Sequence, residues 1–262
     1  MNCLKLNRVY EADVFDFLAH LENNSIDLAI IDPPYNMKKS DWDSFKNEEE
    51  YFDFTKKWLD AVIPKMKKTG SLYLFNNAYN SAIILNYLKD KELIFRNWIT
   101  WYKKDGFSST KKKYINTQET ILFYNCSSRF VFNYDEIRLP YLSTDRMAHA
   151  AKKGIVKNGK RWFPNENGRL CNDVWEITSQ RHKMKINGKV KVLSHPTTKP
   201  YEMIERMIKA SSNKGDLVLD LFSGSGMTSF VAKDLEREYI GCENNPTYID
   251  VIANGGIEIG RL

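Results

Sequence analysis

The sequence predicts an α/β protein: a doubly wound sheet covered by helices on both faces and interrupted by one inserted basic module. Three observations predict it. Strand-like runs alternate with helix-spaced runs through residues 7–124 and again through 199–243. Several strand runs are continuously apolar, such as SIDLAII at 25–31 and DLVLDL at 216–221, as strands buried on both faces are. Charge is unevenly placed: residues 101–200 hold 20 Lys+Arg against 8 Asp+Glu, net +12, and the other 162 residues hold 19 against 25, net −6. The total of +6 therefore hides a positive middle between acidic ends, the pattern of a polyanion-binding segment set in an ordinary fold.

The elements follow in order. Asn7 to Glu11 reads as a short strand and Val14 to Leu21 as a short helix. Ser25 to Ile31 is a strand that must stop at Asp32-Pro33-Pro34, because proline cannot donate to a ladder. Glu48 to Met66 places Phe52, Trp58, Leu59, Val62, Ile63 and Met66 at helical spacing and ends near Gly70. Ser71 to Phe75 is a strand, Ala82 to Asp90 a helix, Leu93 to Tyr102 an aromatic and β-branched strand, and Glu119 to Tyr124 another strand. From Cys126 to Val192 short pieces alternate with Gly, Asn, Pro, Lys and Arg, which reads as the insert. Lys199 to Ser212 is a helix, Asp216 to Leu221 a buried strand, Met227 to Leu235 a helix, and Glu238 to Gly241 a strand ending at Cys242-Glu243-Asn244. The division is residues 1–125 and 193–262 for one α/β domain and 126–192 for the insert.

Several classes are excluded. No run approaches the ~18 apolar residues of a membrane span, and MNCLKLNRVYEADVF has no apolar core of a secretory signal. Cys3, Cys126, Cys171 and Cys242 form no CxxC pair, so neither a zinc site nor a disulfide framework is expected. No metal ligand is assigned. Free thiols without a signal fit a reducing cytoplasm.

Two constellations carry chemistry. In Asp216 to Thr228 (DLVLDLFSGSGMT) an apolar strand meets a glycine-rich turn that opens a helix. Gly224 and Gly226 let the backbone approach a ligand, and the helix N-terminus favours electronegative groups. The spacing is neither GxGxxG nor that of a triphosphate loop. Glu243 ends the next strand, 17 residues past Gly226, where an acid can accept from two ribose hydroxyls. The second constellation is Asp32-Pro33-Pro34-Tyr35. A carboxylate and a proline carbonyl, held by two fixed φ angles, offer two acceptors for the two hydrogens of an exocyclic amine. The Tyr35 ring offers a face on which a base can stack.

DPPY followed by a late FSGSG turn resembles the S-adenosylmethionine-dependent DNA amino-methyltransferases. Aspartate at the head of the motif points to N6-adenine. The order DPPY, basic insert, HPTTKP (195–200) and FSGSG is similar to the permuted β group, and KNGKRWFPN, GRLC and TSQRHK look like MboII-type modification enzymes. The resemblance spans nearly the whole chain. It implies a Rossmann-like methyltransferase sheet with a circularly permuted motif order and a target-recognition insert. It places Asp220, Phe222, Gly224, Ser225, Gly226 and Thr228 on the S-adenosylmethionine loop and Glu243 on its ribose. It puts Thr197 and Lys199 near its carboxylate and Asp13 near its adenine. Because the chain is cut between the Glu243 unit and the Asp13 strand, the two ends must lie together for the sheet to close.

The implied reaction is site-specific methylation of a flipped adenine in double-stranded DNA, with Asp32, Pro33, Pro34 and Tyr35 catalytic. Within the insert, lysines such as Lys152, Lys153, Lys157 and Lys160 suit phosphates, and Arg146, Arg161, Arg169, Asn172, Gln180 and Arg181 suit base edges. Trp42 is read either as part of a flap over the base or as core. The resemblance is compatible with a homodimer and with a cognate restriction endonuclease acting on the same site. Competing readings are N4-cytosine methylation, RNA or protein-glutamine methylation, and a non-catalytic DNA-binding protein.

Overall fold

The computed structural model describes residues 4–38, 43–104, 111–179, 183–186, 189–192 and 198–262. The first part of the chain runs β1 (Arg8–Glu11), α1 (Val14–His20), β2 (Ile26–Ile31), α2 (Glu48–Val62), β3 (Met66–Asn76), α3 (Ala78–Leu88), β4 (Ile94–Tyr102) and β5 (Gln118–Asn125). The middle holds α4 (Thr144–Lys153), β6 (Ile155–Lys157), β7 (Lys160–Trp162), β8 (Val174–Glu176), β9 (Lys183–Ile186) and β10 (Lys189–Val192). The last part is α5 (Tyr201–Ser211), β11 (Leu217–Asp220), α6 (Met227–Asp234), β12 (Glu238–Glu243), α7 (Pro246–Asn254) and β13 (Glu258–Arg261).

Nine strands form one sheet in the order β13-β1-β12-β11-β2-β3-β5-β4-β8. Pairing is parallel from β13 to β3. It becomes antiparallel where β5 joins β3 and β4. The ends of the chain do lie together. β1 sits between β12 and β13, with Tyr10 opposite Cys242 on one side and Gly260 on the other. The permuted order thus closes a continuous sheet.

Both faces are covered, which is why the central strands are apolar throughout. Leu28 and Ile30 of β2 face α5, α6 and α7 through Met203, Ile204, Met207, Val231 and Ile252. Ala29 and Ile31, pointing oppositely by the two-residue strand period, pack with Phe17, Leu18, Trp58, Leu59 and Leu88 of α1, α2 and α3. All of these side chains are buried. Burying each large one contributes about 1.5–3 kcal/mol.

Helix starts are set by polar caps. Asp13 accepts from Phe15 N, Asn47 from Glu50 N, Asn77 from Asn80 N and Asn245 from Thr247 N. Each is worth ~1 kcal/mol against alanine. These caps explain where the sequence boundaries shift. α3 begins at Ala78 rather than Ala82 because Asn77 caps it. α2 ends at Val62 rather than Met66: Pro64 sits in a 3-10 turn, Ile63–Lys65, and Met66 already belongs to β3.

The middle segment is partly built into this body. β8 pairs in parallel with β4, Trp175 and Ile177 are buried, and Trp101 Nε1 donates to the Ile177 carbonyl at 2.7 Å. Asn133 N donates to the Ala210 carbonyl at 2.7 Å. The β6–β7 hairpin, by contrast, is exposed along both strands. Its Asn158-Gly159 tip takes positive φ at both residues, 50° and 72°, as a two-residue turn of the primed type requires.

Candidate active site

In an α/β sheet, ligands bind beyond the carboxyl ends of parallel strands. Here those ends bring acids together: Asp32 follows β2, Asp220 ends β11, Glu243 ends β12, and Asp13 lies just past β1. Because β11 lies between β12 and β2, the late glycine-rich turn comes beside DPPY. One cavity is lined by Asp13, Asp32, Pro33, Pro34, Tyr35, Lys199, Asp220, Phe222, Gly224, Ser225, Thr228 and Glu243, and also by Asn244 and Tyr248.

On the glycine-rich side, Gly224 N donates to Glu243 Oε2 at 2.8 Å and Asn245 N to Glu243 Oε1 at 2.9 Å. The carboxylate keeps acceptor capacity beyond its backbone donors. Gly226, at φ 75°, starts α6 without any side-chain cap. Gly241 lets β12 pass under the turn: a Cβ there would lie 2.6 Å from the Asp220 carbonyl and from Ser223 Oγ. Burial pushes the Asp220 carboxyl up to about 7, against the Thr228 hydroxyl and Phe222 N–H that favour its anion, with Asp32 and Glu243 raising it further. Burial also raises Glu243, against backbone donors from Asn245, Gly224 and Asn244. Among the described residues neither acid has an ion pair. The pair suits a ligand that brings hydroxyl donors and positive charge.

On the DPPY side, Asp32 is held at both oxygens. Lys199 Nζ lies 2.7 Å from Oδ2, and the Tyr35 hydroxyl donates to Oδ1 at 2.7 Å. Both donors also reach Glu119 Oε2, each at 3.3 Å, and Lys103 holds Glu119 Oε1. Burial opposes the Lys199 charge, but Asp32 and Glu119 outweigh it and its pKa lies above the ordinary lysine value. Burial likewise opposes the Glu119 anion, yet Lys199 and Lys103 bring it down to about 2. The Tyr35 hydroxyl is pushed well up, by burial first and then by Asp32 and Glu119. The loop itself is clamped: Asp43 accepts from Tyr35 N at 2.7 Å and Met37 N at 3.0 Å, and Asn80 Nδ2 donates to the Tyr35 carbonyl at 2.9 Å.

The cavity brings together the catalytic and cofactor residues expected from sequence except Gly226, which starts α6 behind the lining and faces Ile252, and Thr197, which lies outside the described residues, as do Trp42, Gln180 and Arg181. Lys199, expected near the carboxylate of S-adenosylmethionine, pairs with Asp32 and Glu119. Asp13 lines the cavity while its carboxylate caps α1 at Phe15 N. Glu119, Asp43, Asn80 and Tyr248 carry no sequence assignment. Glu119 alone left a signal, as an acid heading the apolar run ILFY.

The DNA methylase family profile for N6 and N4 methyltransferases matches residues 26–254, spanning both constellations. The chain belongs to this family. The methylase is 56% identical over 247 residues to the Type II methyltransferase M1.MboII of Moraxella bovis, covering 94% of this chain and 95% of that one. Its fold is similar to that of the M1.HpyAVI-SAM complex, with TM-score 0.62, 22% identity, and 94% and 97% of the two chains covered. It is also similar to the PvuII cytosine-N4-specific DNA methyltransferase, with TM-score 0.69, 17% identity, and 94% and 84% covered. These likenesses agree with the Rossmann-like methyltransferase fold expected above.

The methylase also presents a basic surface away from the sheet. α4 ends in Lys152 and Lys153, and the β6–β7 hairpin exposes Lys157, Lys160 and Arg161 beside Val156 and Trp162. No helix among the described residues is long and apolar enough to cross a membrane.

Proposed function

We propose that this DNA methylase transfers the methyl group of S-adenosylmethionine to the N6 amine of an adenine flipped out of duplex DNA. In this reading it works in the cytoplasm as the modification partner of a restriction endonuclease. The observation that carries the reading is the shared cavity. Asp32-Pro33-Pro34-Tyr35 and the FSGSG turn with Glu243 line the same space, so an amine acceptor and a cofactor cradle meet.

The residues present fit the cofactor. The unused lone pairs of Glu243 suit ribose hydroxyls, and the unpaired carboxyl of Asp220 suits a cationic group near Phe222, Gly224, Ser225, Gly226 and Thr228. Asp13 and Thr197 complete the cofactor set in this reading. When bound, S-adenosylmethionine supplies an electrophilic methyl group on a sulfonium. The N6 lone pair is delocalised into the ring and is weakly nucleophilic. Asp32 and the Pro33 carbonyl accept its two hydrogens and draw the nitrogen toward tetrahedral geometry. The carboxylate stabilises positive charge growing there. Pro34 keeps the loop rigid, and Tyr35 stacks on the extruded base. Aspartate at the head of the motif, where serine would stand in an SPPY sequence, favours adenine over the N4 amine of cytosine.

The segment 126–192 acts as the DNA-reading insert, its lysines on phosphates and Arg146, Arg161, Arg169 and Asn172 toward base edges. Digestion and mass spectrometry of duplex DNA methylated by the purified protein tests the whole reading. N6-methyladenine is expected; N4-methylcytosine as the product overturns the choice of base, and label on RNA or protein alone overturns DNA as substrate.

A further inference from the structure

The Asp32 carboxylate has no oxygen without a partner. Lys199 occupies Oδ2 and the Tyr35 hydroxyl occupies Oδ1. A substrate amine that donates to Asp32 therefore competes with these donors for the carboxylate, through a lone pair they leave or in place of one of them. A buried ammonium or hydroxyl stripped of its acceptor is strongly disfavoured, so either donor needs another acceptor within reach.

Glu119 is that acceptor. Its Oε2 is 3.3 Å from Lys199 Nζ and 3.3 Å from the Tyr35 hydroxyl, the same two donors that hold Asp32. Its other oxygen is fixed by Lys103, whose ammonium also lies 4.7 Å from the centre of the Trp101 ring. Two carboxylates and two ammonium groups leave the cluster neutral. Glu119 comes from β5, 84 positions after Tyr35, so it is no part of the DPPY loop. The aromatic faces of Tyr35, Phe75 and Trp101 lie 5.0–5.9 Å from Lys199 Nζ and confine its ammonium between the two carboxylates.

We propose that Glu119 is a positioning residue, receiving Lys199 and the Tyr35 hydroxyl as the substrate amine takes their place on Asp32. This rests on the amine-acceptor reading of Asp32. Glu119 lines the same cavity, but its proposed role is exerted through Lys199 and Tyr35. It keeps Lys199 charged and paired when Asp32 turns to the amine, and it keeps the Tyr35 ring in its stacking position.

The test is Glu119→Gln beside Glu119→Asp, in the full chain, with S-adenosylmethionine and unmethylated duplex DNA carrying the site that the wild-type protein modifies. Single-turnover transfer rates, the KM for DNA and cofactor affinity by calorimetry are read together. For Glu119→Gln the expected result is a transfer rate at least ten-fold lower with cofactor affinity within two-fold of wild type. Glu119→Asp, which keeps the charge, recovers a substantial part of the rate. Unchanged transfer in Glu119→Gln overturns the proposal. So does a loss accompanied by equal loss of cofactor affinity, or one that Glu119→Asp does not relieve, since both mark a general packing role. If Glu119→Gln does not fold, Glu119→Ala takes its place in the same comparison: a transfer loss at unchanged cofactor affinity that Glu119→Asp relieves supports the proposal, and unchanged transfer overturns it. Wild-type protein that methylates no DNA overturns the Asp32 reading itself, which the wild-type control separates from failure at Glu119.

Discussion

Lys199 and Asp32, which are 167 positions apart in sequence, form an ion pair at 2.7 Å inside the cavity, with the lysine side chain only 9% exposed. Lys199→Met leaves Asp32 and Glu119 facing each other without their shared cation. Breaking such a pair costs about 3–5 kcal/mol when fully buried, and less here because Asp32 is partly open. The melting temperature should fall, and part of the loss should return as pH drops and a carboxylate takes a proton. A variant as stable as wild type at neutral pH would contradict the pairing.

Asp32→Ala removes an amine acceptor without touching the glycine-rich turn. Cofactor affinity by calorimetry should stay within about two-fold, and methyl transfer should fall by about 10²–10⁴, the range for a positioned acid–base group. Near-normal turnover would remove Asp32 from the chemistry.

In the proposed reading Asp220 should link cofactor binding to pH. Its carboxyl is raised to about 7 in the folded protein against an ordinary value of 3.8. The native state therefore holds this proton more tightly than the unfolded chain does. The stability it contributes is fully present below pH ~3.8 and is lost as pH rises through ~7. A cationic ligand favours the anion, so affinity for S-adenosylmethionine should rise between pH 6 and 8 with proton release. Asp220→Asn should flatten that dependence. Calorimetry in buffers of different ionisation enthalpy measures the proton directly.

Asp43 holds the backbone of the DPPY loop through Tyr35 N and Met37 N. Hydrogen bonds to a charged group are each worth ~1.5–3 kcal/mol. Asp43→Ala should lower the denaturation midpoint and reduce transfer, with cofactor affinity little changed. A rate loss that appears only as weaker cofactor binding would place Asp43 in another role.

The exposed hairpin makes the DNA prediction specific. Replacing Lys157 and Lys160 together by Gln should reduce the slope of log affinity against log salt by about 1–2, roughly one per lost phosphate contact. An unchanged slope would take the hairpin off the DNA.

Much of this was legible in the sequence because the physics is local. SIDLAII and DLVLDL read as buried strands since both faces are apolar, and Pro33-Pro34 forces the first to stop. The cavity acids could be placed because each ends such a strand. Residues 246–261 escaped assignment. β13 is an edge strand reading EIGR, with three of its four residues at least partly exposed, and it offers no apolar run. α4 escaped because Ala150 is its one buried residue among those described. Asp43, Asn80 and Glu119 were hidden for a different reason: each is a lone polar residue whose partner is set by sheet order, not by spacing. Lys199 is the same case in reverse. A motif located it, but only the approach of β5 to β2 across β3 shows which carboxylates it meets.

The stitching of β1 between β12 and β13 has a consequence for how the molecule is made. Asn7 N donates to the Tyr239 carbonyl, and Tyr239 N donates to Asn7 Oδ1, across 232 positions. During synthesis the first strand emerges with neither neighbour available and must wait, unpaired at both edges, until almost the whole chain has left the ribosome. Contacts that distant close slowly. The Glu243 corner, where Ala12 N donates to the Glu243 carbonyl, is therefore among the last parts to form. A nascent chain carries the DPPY loop and the basic hairpin long before it can modify anything.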